Sequence, residues 1–346
     1  MISVAREETE FVAEVLDEYG ARVRVAMADY LKPREPRRYL YNLVADYPRR
    51  GGRMLRPTLC LATARALGAE TDAALRTAVA IELLHNAFLV HDDVEDESDT
   101  RRGRPTLNAL HGSSTAVNVG DALIMIGMKA LLDNAEPLGL PLAMRILVDA
   151  EQMVRETIEG QAIELGWRRD NAIHLREADY LSMIMKKTCW YTTIFPLRAG
   201  ALVSRSDVNP DHFIRFGFFA GAAFQIQDDL LNLLGDPVKY GKELNGDLQE
   251  GKRTLMLIHL LERATPTERE RLQELLSRPR DARTDADVLW VRGRMAAYES
   301  IEYAQRMAHG LAGAAQHAFD EIFADVPASR DLAFLRGVVR WVLART

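Results

Sequence analysis

Cysteine is scarce: the chain of 346 residues holds two, Cys60 and Cys189. Neither has a second Cys or a His at metal-ligand spacing, which excludes a zinc module and a disulfide-framed scaffold. Each lies among apolar neighbours and reads as a reduced core thiol. Lys/Arg tracts and aromatic-interleaved basic patches are missing, and the net charge is −6. Nucleic acid is therefore not an expected partner. No apolar run is read as reaching the roughly 18 residues that span a bilayer. Met1 to Gly20 carries charges throughout and lacks an apolar signal core. The expectation is a cytoplasmic chain with no stable membrane insertion. Ser/Gly linkers and low-complexity tracts are absent, so residues 1–346 read as one domain. Strand signals are almost missing too, with no β-branched alternation bounded by hairpin turns.

What the chain does have is helical period. Hydrophobic residues make up 48%, enough for a large core without staples. Phe11, Val12, Val15, Leu16, Tyr19, Val23, Ala26, Met27 and Tyr30 fall on or near one stripe of the segment from Glu7 to Leu31, the mark of an amphipathic helix. Similar patterns predict helices over about 55–66, 72–92, 114–134, 141–165, 176–203, 211–235, 253–264, 266–276 and 284–309, with more helix to the C-terminus. Lys32 to Pro36 and Pro48 to Gly52 are breaks. The expected fold class is all-α.

One stretch carries unusual charge. An apolar run from Ala78 to Val90 ends in His91-Asp92-Asp93-Val94-Glu95-Asp96. On a helix Asp92 and Asp96 share a face, with Asp93 beside them. Like charges at that spacing repel by a few tenths of a kcal/mol, so a cation between them is a natural partner. Hard oxygen ligands aimed at one point suit Mg²⁺, which takes one or two carboxylates plus phosphate oxygens and water. Arg101-Arg102-Gly103-Arg104 follows, and arginine forks grip phosphate. Acids for metal beside bases for phosphate point to a metal-bridged diphosphate. The bland alternative is a solvated acidic helix end and a basic loop.

The run has an echo in Phe224 to Asn232, which carries Asp228 and Asp229. Two such helices facing each other share one metal pocket inside a bundle. Arg53 and Arg56 stand three apart after Gly51-Gly52, a geometry for gripping one phosphate group. Lys186-Lys187-Thr188 interrupts an apolar helix, and only one lysine of the pair can face inward. Gly160-Gln161 and Glu164 sit one turn apart, as partners for that lysine or metal or as plain interhelical bonds. Gly241-Lys242 and Gly251-Lys252 frame Asn245-Gly246-Asp247.

In this order, from about Gly51 to Thr254, these motifs resemble the trans-isoprenyl diphosphate synthases, the polyprenyl synthetase family. The resemblance implies one bundle of long, mostly antiparallel helices around a deep central cavity, usually a homodimer. It implies condensation of an allylic diphosphate with isopentenyl diphosphate. Ionising an allylic C–O bond leaves a carbocation and a diphosphate, whose charge three Mg²⁺ and several cations must hold. The cavity must be dry, so that the carbocation meets the isopentenyl double bond before water does. The released diphosphate is the usual base for the last proton.

Carried over position by position, Asp92 and Asp96 ligate two Mg²⁺ and Asp228 a third. Asp93, Asp229, Asp247 and Asn232 act behind them, through metal-bound water. Arg101, Lys187 and Lys252 hold the allylic diphosphate, with Lys242 near the third metal. Thr188 and Gln225, with Lys187, steady the reacting centre. Arg53, Arg56, His85 and Arg102 bind isopentenyl diphosphate. His91 reads as a core histidine. Two positions depart from the family pattern: Arg53 stands where lysine is usual, and Asn232 where aspartate is usual.

Product length follows from what blocks the cavity floor. The resemblance puts Ala87 and Phe88 there; Met125 and Met128, on a neighbouring helix, are further candidates, although Met at helical spacing is more often plain core. A small Ala87 leaves room for the twenty-carbon geranylgeranyl diphosphate, and Phe88 stops much longer chains. Farnesyl or longer products, a terpene cyclase on the same scaffold, and a silent partner subunit are the alternatives. Arg53, Arg56 and His85 argue against a cyclase, which has no second diphosphate to hold.

Overall fold

The apolar stripe from Val12 to Met27 becomes the buried face of a long first helix, α1 (Ile2–Tyr30). The structure is a computed structural model, and it describes residues 2–235 and 245–344. The other main helices are α2 (Leu55–Ala66), α3 (Leu75–Glu95), α4 (Ser113–Leu132), α5 (Leu140–Arg169), α6 (Glu177–Ile184) and α7 (Phe195–Ser204). They continue with α8 (His212–Leu234), α9 (Leu255–Arg263), α10 (Pro266–Ser277), α11 (Asp285–Ala297), α12 (Ser300–Ile322) and α13 (Arg330–Leu343).

One contiguous set of buried apolar residues runs from Val12 to Val342. Helix α3 is apolar on nearly every side and lies in its middle, packed along α4. Its Leu83 and Leu84 are at most 1% exposed, and each such burial contributes about 2 kcal/mol. Helix α8 packs along α12 on the other side of the bundle. Short polar side chains start several helices: Thr254, Thr265, Thr284 and Ser329 each accept a first-turn backbone N–H. A cap of this kind is worth about 1 kcal/mol.

Four features depart from the sequence reading. The single helix expected over 176–203 is broken by a wide π turn, Met185–Ile194, between α6 and α7. Pro196 has no N–H to return to that turn. Gly160 of α5 lets its backbone come close, since a Cβ there would fall 2.2 Å from Lys187 N. The helix expected over 284–309 is cut at Glu299, whose φ is +55°. The buried Ser300 hydroxyl behind it meets His259 Nδ1 at 2.9 Å.

A two-residue ribbon also appears, with Thr100–Arg101 antiparallel to Arg104–Pro105. Arg102 and Gly103 form its turn, both at positive φ, as a tight hairpin requires. Finally, Asp72–Glu95 and Ser113–Leu138 are long and apolar enough to cross a membrane by length and composition, contrary to the reading that no run reaches that length. The first is 72% buried in the bundle over its apolar window, the second 44%. Helix α4 therefore keeps an apolar outer side.

Candidate active site

A cavity of about 810 Å³ opens between α3, the π turn, α5 and α8. Asp92 at the end of α3 and Asp228 on α8 both line it, with Asp229 and Asp247. Arg53, Arg56 and Arg102 line it too, beside Glu82. One hollow thus holds a carboxylate group and an arginine group.

The acids differ in what they touch. Asp92 is partly open to the cavity, 3.4 Å from Arg101 and 3.6 Å from Lys187. Asp93 is fully buried and points away from the cavity. It accepts from Arg101 Nε at 2.7 Å and from the Tyr47 hydroxyl. Asp93 thus orients Arg101 from behind the cavity wall. Asp96 is 2% exposed and borders a small side pocket instead of the main cavity. Arg168 and Lys252 hold its two oxygens at 2.6 and 2.7 Å. Burial is the largest influence and pushes its carboxyl up, but the charges of Lys252 and Lys187 with the Lys252 hydrogen bond together hold it below the ordinary value.

On α8, Asp229 accepts from Tyr180 Oη at 2.8 Å and from Gln225 Nε2 at 2.7 Å. Burial, then the charges of Asp247 and Asp228, push its carboxyl well above the ordinary value. Gln225 in turn accepts from Thr188 at 2.8 Å. The Asn232 side-chain oxygen accepts from Asp247 N at 3.1 Å, and its carbonyl accepts from Asn245 N. Its amide therefore ties down the turn that carries Asp247, a different task from the metal role expected of it. Lys242 lies outside the described residues.

Lysines fall as helical spacing requires. Lys187 turns inward onto Glu164, and Lys186 turns outward to Glu156 and Glu159, both at 2.7 Å. Burial works against charge on Lys187, but Glu164 and then Asp92 keep it protonated above its usual range. Lys252 bridges Asp96 and Glu250 at 2.7 and 2.8 Å.

At the arginine end, Arg56 donates to Thr192 at 2.9 Å, meets His85 Nε2 at 3.2 Å and lies 4.5 Å over the Tyr191 ring. His85 stacks on the same ring. Arg102 donates to the carbonyls of Gly51 and Tyr47. Glu82 is buried below them. Burial raises its carboxyl, and Arg56 and Arg102 temper the rise.

The apolar wall holds one of the two residues expected at the floor. Phe88 lines the cavity and meets Tyr191 edge-on, at 5.7 Å between ring centroids. Ala87 is fully buried and is not among the lining residues. It falls between Leu84 and His91, which pack against Gly127 and Gly120 of α4. Met125 is exposed, and neither it nor Met128 lines the cavity; Ile124 does. His91 is not a closed core histidine either, since it reaches the lining.

Sequence reading missed Tyr47, Glu82, Arg168, Tyr180 and Tyr191. Each acts on a residue far along the chain, and none stands in a charged motif. Among the described residues no three His, Cys, Asp or Glu side chains converge as a ready-made metal cage. Burial first, and then the neighbouring carboxylates of Asp247 and Asp228, push Asp229 up along this wall. A divalent cation that brings phosphate and water ligands relieves such a site.

Known proteins place this geometry. The chain is similar to the geranylgeranyl pyrophosphate synthase of Geoglobus acetivorans, at 33% identity over 72% of this chain and 77% of the relative. It is also 33% identical to the octaprenyl diphosphate synthase of Escherichia coli, over 64% of this chain and 66% of the relative. A polyprenyl synthase from Caulobacter crescentus, solved with calcium and isoprenyl diphosphate, superposes with a TM-score of 0.85 at 27% identity, covering 97% of this chain and 98% of that one. The family model for polyprenyl synthetase matches residues 37–291, and the chain is a prenyltransferase that belongs to the polyprenyl synthetase family.

Proposed function

We propose that this chain condenses an allylic diphosphate with isopentenyl diphosphate in the presence of Mg²⁺, chiefly to geranylgeranyl diphosphate. The observation that carries the reading is the opposition of two groups across one cavity. Asp92, Asp228, Asp229 and Asp247 stand at one side, and Arg53, Arg56 and Arg102 at the other. A cavity built for one diphosphate has no use for the second group.

Asp92 and Asp228 would hold Mg²⁺ at the allylic diphosphate, and Asp96 would join them once Arg168 and Lys252 released it. When bound, Mg²⁺ supplies positive charge to the departing diphosphate. Arg101, Lys187 and Lys252 neutralise what remains of that charge. Arg53, Arg56, His85 and Arg102 hold isopentenyl diphosphate with its double bond toward the allylic carbon. Thr188 and Gln225 aim fixed dipoles at the reacting centre. Phe88, Tyr191 and Phe224 keep water out. The released diphosphate, held by the same cations, takes the final proton.

Phe88 and Tyr191 together set the product length. The octaprenyl-forming relative favours a longer product as the second reading. We further read residues 1–346 as one unit that works as a cytoplasmic homodimer. Val117, Met125 and Leu132 of α4 and Met144, Val148 and Ile158 of α5 are all more than 40% exposed. Exposed apolar side chains of this kind, interspersed with Asp121, Lys129, Glu151 and Arg155, favour an interface, and a second copy covers them. Two buried free thiols suit a reducing compartment. Turnover of each allylic starter with isopentenyl diphosphate, read by mass analysis of products, tests the reaction. A single product longer than geranylgeranyl diphosphate would favour the second reading.

A further inference from the structure

We propose that Trp341 is a positioning residue for isopentenyl diphosphate: its indole holds the Arg53 guanidinium at the cavity mouth. The inference rests on the role proposed above for Arg53. Trp341 lies on α13, beyond the segment that matches the family model. It is 4% exposed and lines the cavity. The Arg53 guanidinium lies 5.5 Å from its ring centroid, within the range of a cation–π contact.

The three arginines at this end are held differently. Arg56 has Thr192, His85 and Tyr191, and Arg102 has two backbone carbonyls. Among the described residues Arg53 makes no ion pair or hydrogen bond, and its place is set by the Trp341 ring. Its backbone offers little help, because Gly51, Gly52 and Met54 around it all have positive φ. The stem of Arg53 is exposed. Without the ring its head samples many rotamers, and each must be ordered again when a diphosphate binds.

Helix α13 is fastened so as to hold the ring there. The Tyr19 hydroxyl donates to Asp331 at 2.5 Å, with Arg65 at 3.6 Å from the same carboxylate. Ser329 caps the helix, and Gly337 lets it lie against Val12 of α1. Arg340, beside Trp341, pairs with Glu8 at 3.2 Å. The last helix thus delivers one aromatic side chain to the arginine end of the site.

The test is a cycle of W341L, R53Q and the double variant in the full chain, with isopentenyl diphosphate as the probe. Steady-state kinetics and calorimetric binding are read together. W341L raises the KM for isopentenyl diphosphate about two- to fivefold, as loss of one cation–π contact to an exposed guanidinium implies. It leaves kcat and the KM for the allylic diphosphate near wild type, and W341F keeps most of the effect of the ring. With glutamine at 53, W341L adds nothing further. An equal rise in both KM values, or the same rise in the R53Q background, overturns the proposal. If R53Q itself leaves isopentenyl diphosphate binding unchanged, the role of Arg53 fails instead, which is a separate result. Should W341L lose its fold, W341M keeps the apolar bulk without the ring and carries the same comparison.

Discussion

The two oxygens of Asp96 are divided between Arg168 at 2.6 Å and Lys252 at 2.7 Å, inside a wall where the carboxylate is 2% exposed. A residue expected to be an open metal ligand is therefore also the counter-charge of two buried cations. Removing one partner of such a group leaves charge uncompensated. Asp96→Asn lowers the stability of the metal-free protein by about 2–4 kcal/mol and abolishes most turnover. Thermal or urea unfolding with a chelator present reads the first effect. A rise in metal-free stability would show that Asp96 acts only as a repelled acid awaiting metal.

Glu250 sets part of the pH dependence. Its carboxyl is pushed up to about 7, by burial first, with Asp96 and Asp247 adding and Lys252 opposing. In the unfolded chain it ionises near 4.5. Between those values the folded protein keeps a proton that the unfolded chain has lost. Stability is thus highest below the unfolded value and falls as pH rises toward the folded one. The loss is at most roughly 3 kcal/mol. Melting the metal-free protein across this window, with Glu250→Gln beside the native chain, checks it. The variant gives the flatter curve; parallel curves count against the assignment.

Gly160 sets the depth of Lys187. A Cβ at that position meets Lys187 N at 2.2 Å and its Cα at 2.6 Å, both backbone atoms that cannot turn aside. Gly160→Ala forces α5 and the π turn apart and costs about 1–3 kcal/mol by overpacking. The larger effect falls on kcat, because Lys187 leaves Glu164 and Asp92. A variant with unchanged kcat means that the lysine does not depend on this approach.

Phe88, and not Ala87, is the expected control of product length. Phe88→Ala opens the wall against Tyr191 and shifts products to longer chains. Ala87→Phe places a ring between Leu84 and His91 in the packed α3–α4 contact, so it destabilises the protein by about 1–3 kcal/mol or more. Chromatography of dephosphorylated products, with melting curves for both variants, separates the two effects. A stable Ala87→Phe enzyme with shortened products would restore Ala87 to the floor.

Much of the site was legible before any coordinates because charge on an apolar helix is conspicuous. Asp92 and Asp228 stand out for that reason, and the split of Lys186 from Lys187 follows from helical period. The fold class followed from the same period. What escaped were partnerships across the chain. Nothing in the sequence pairs Asp93 with Tyr47, Asp229 with Tyr180 or Asp96 with Arg168, since each joins elements that only packing brings together. The floor was legible in part: Phe88 lines the cavity and Ala87 does not, because adjacent residues on α3 point to different neighbours, one step of about 100° apart. The π turn was not legible. Thr188, Cys189, Trp190, Tyr191, Thr192 and Thr193 are weak helix formers, but low propensity does not specify a π turn, and the Gly160 that it closely approaches lies on another helix.

The apolar face of α4 and α5 gives a prediction on assembly. Val148→Asp with Met125→Glu turns a dimer into a monomer in light scattering, because a charge buried in an apolar contact is costly. A native protein that is monomeric alone and binds lipid vesicles would assign that face to a membrane.

The account stands most directly on one assay. Purified protein is mixed with Mg²⁺, farnesyl diphosphate and isotope-labelled isopentenyl diphosphate, and the products are weighed by mass spectrometry. A labelled twenty-carbon diphosphate with release of inorganic diphosphate is the predicted result. An unlabelled hydrocarbon, formed without consumption of isopentenyl diphosphate, would contradict the reading of two diphosphate sites in one cavity.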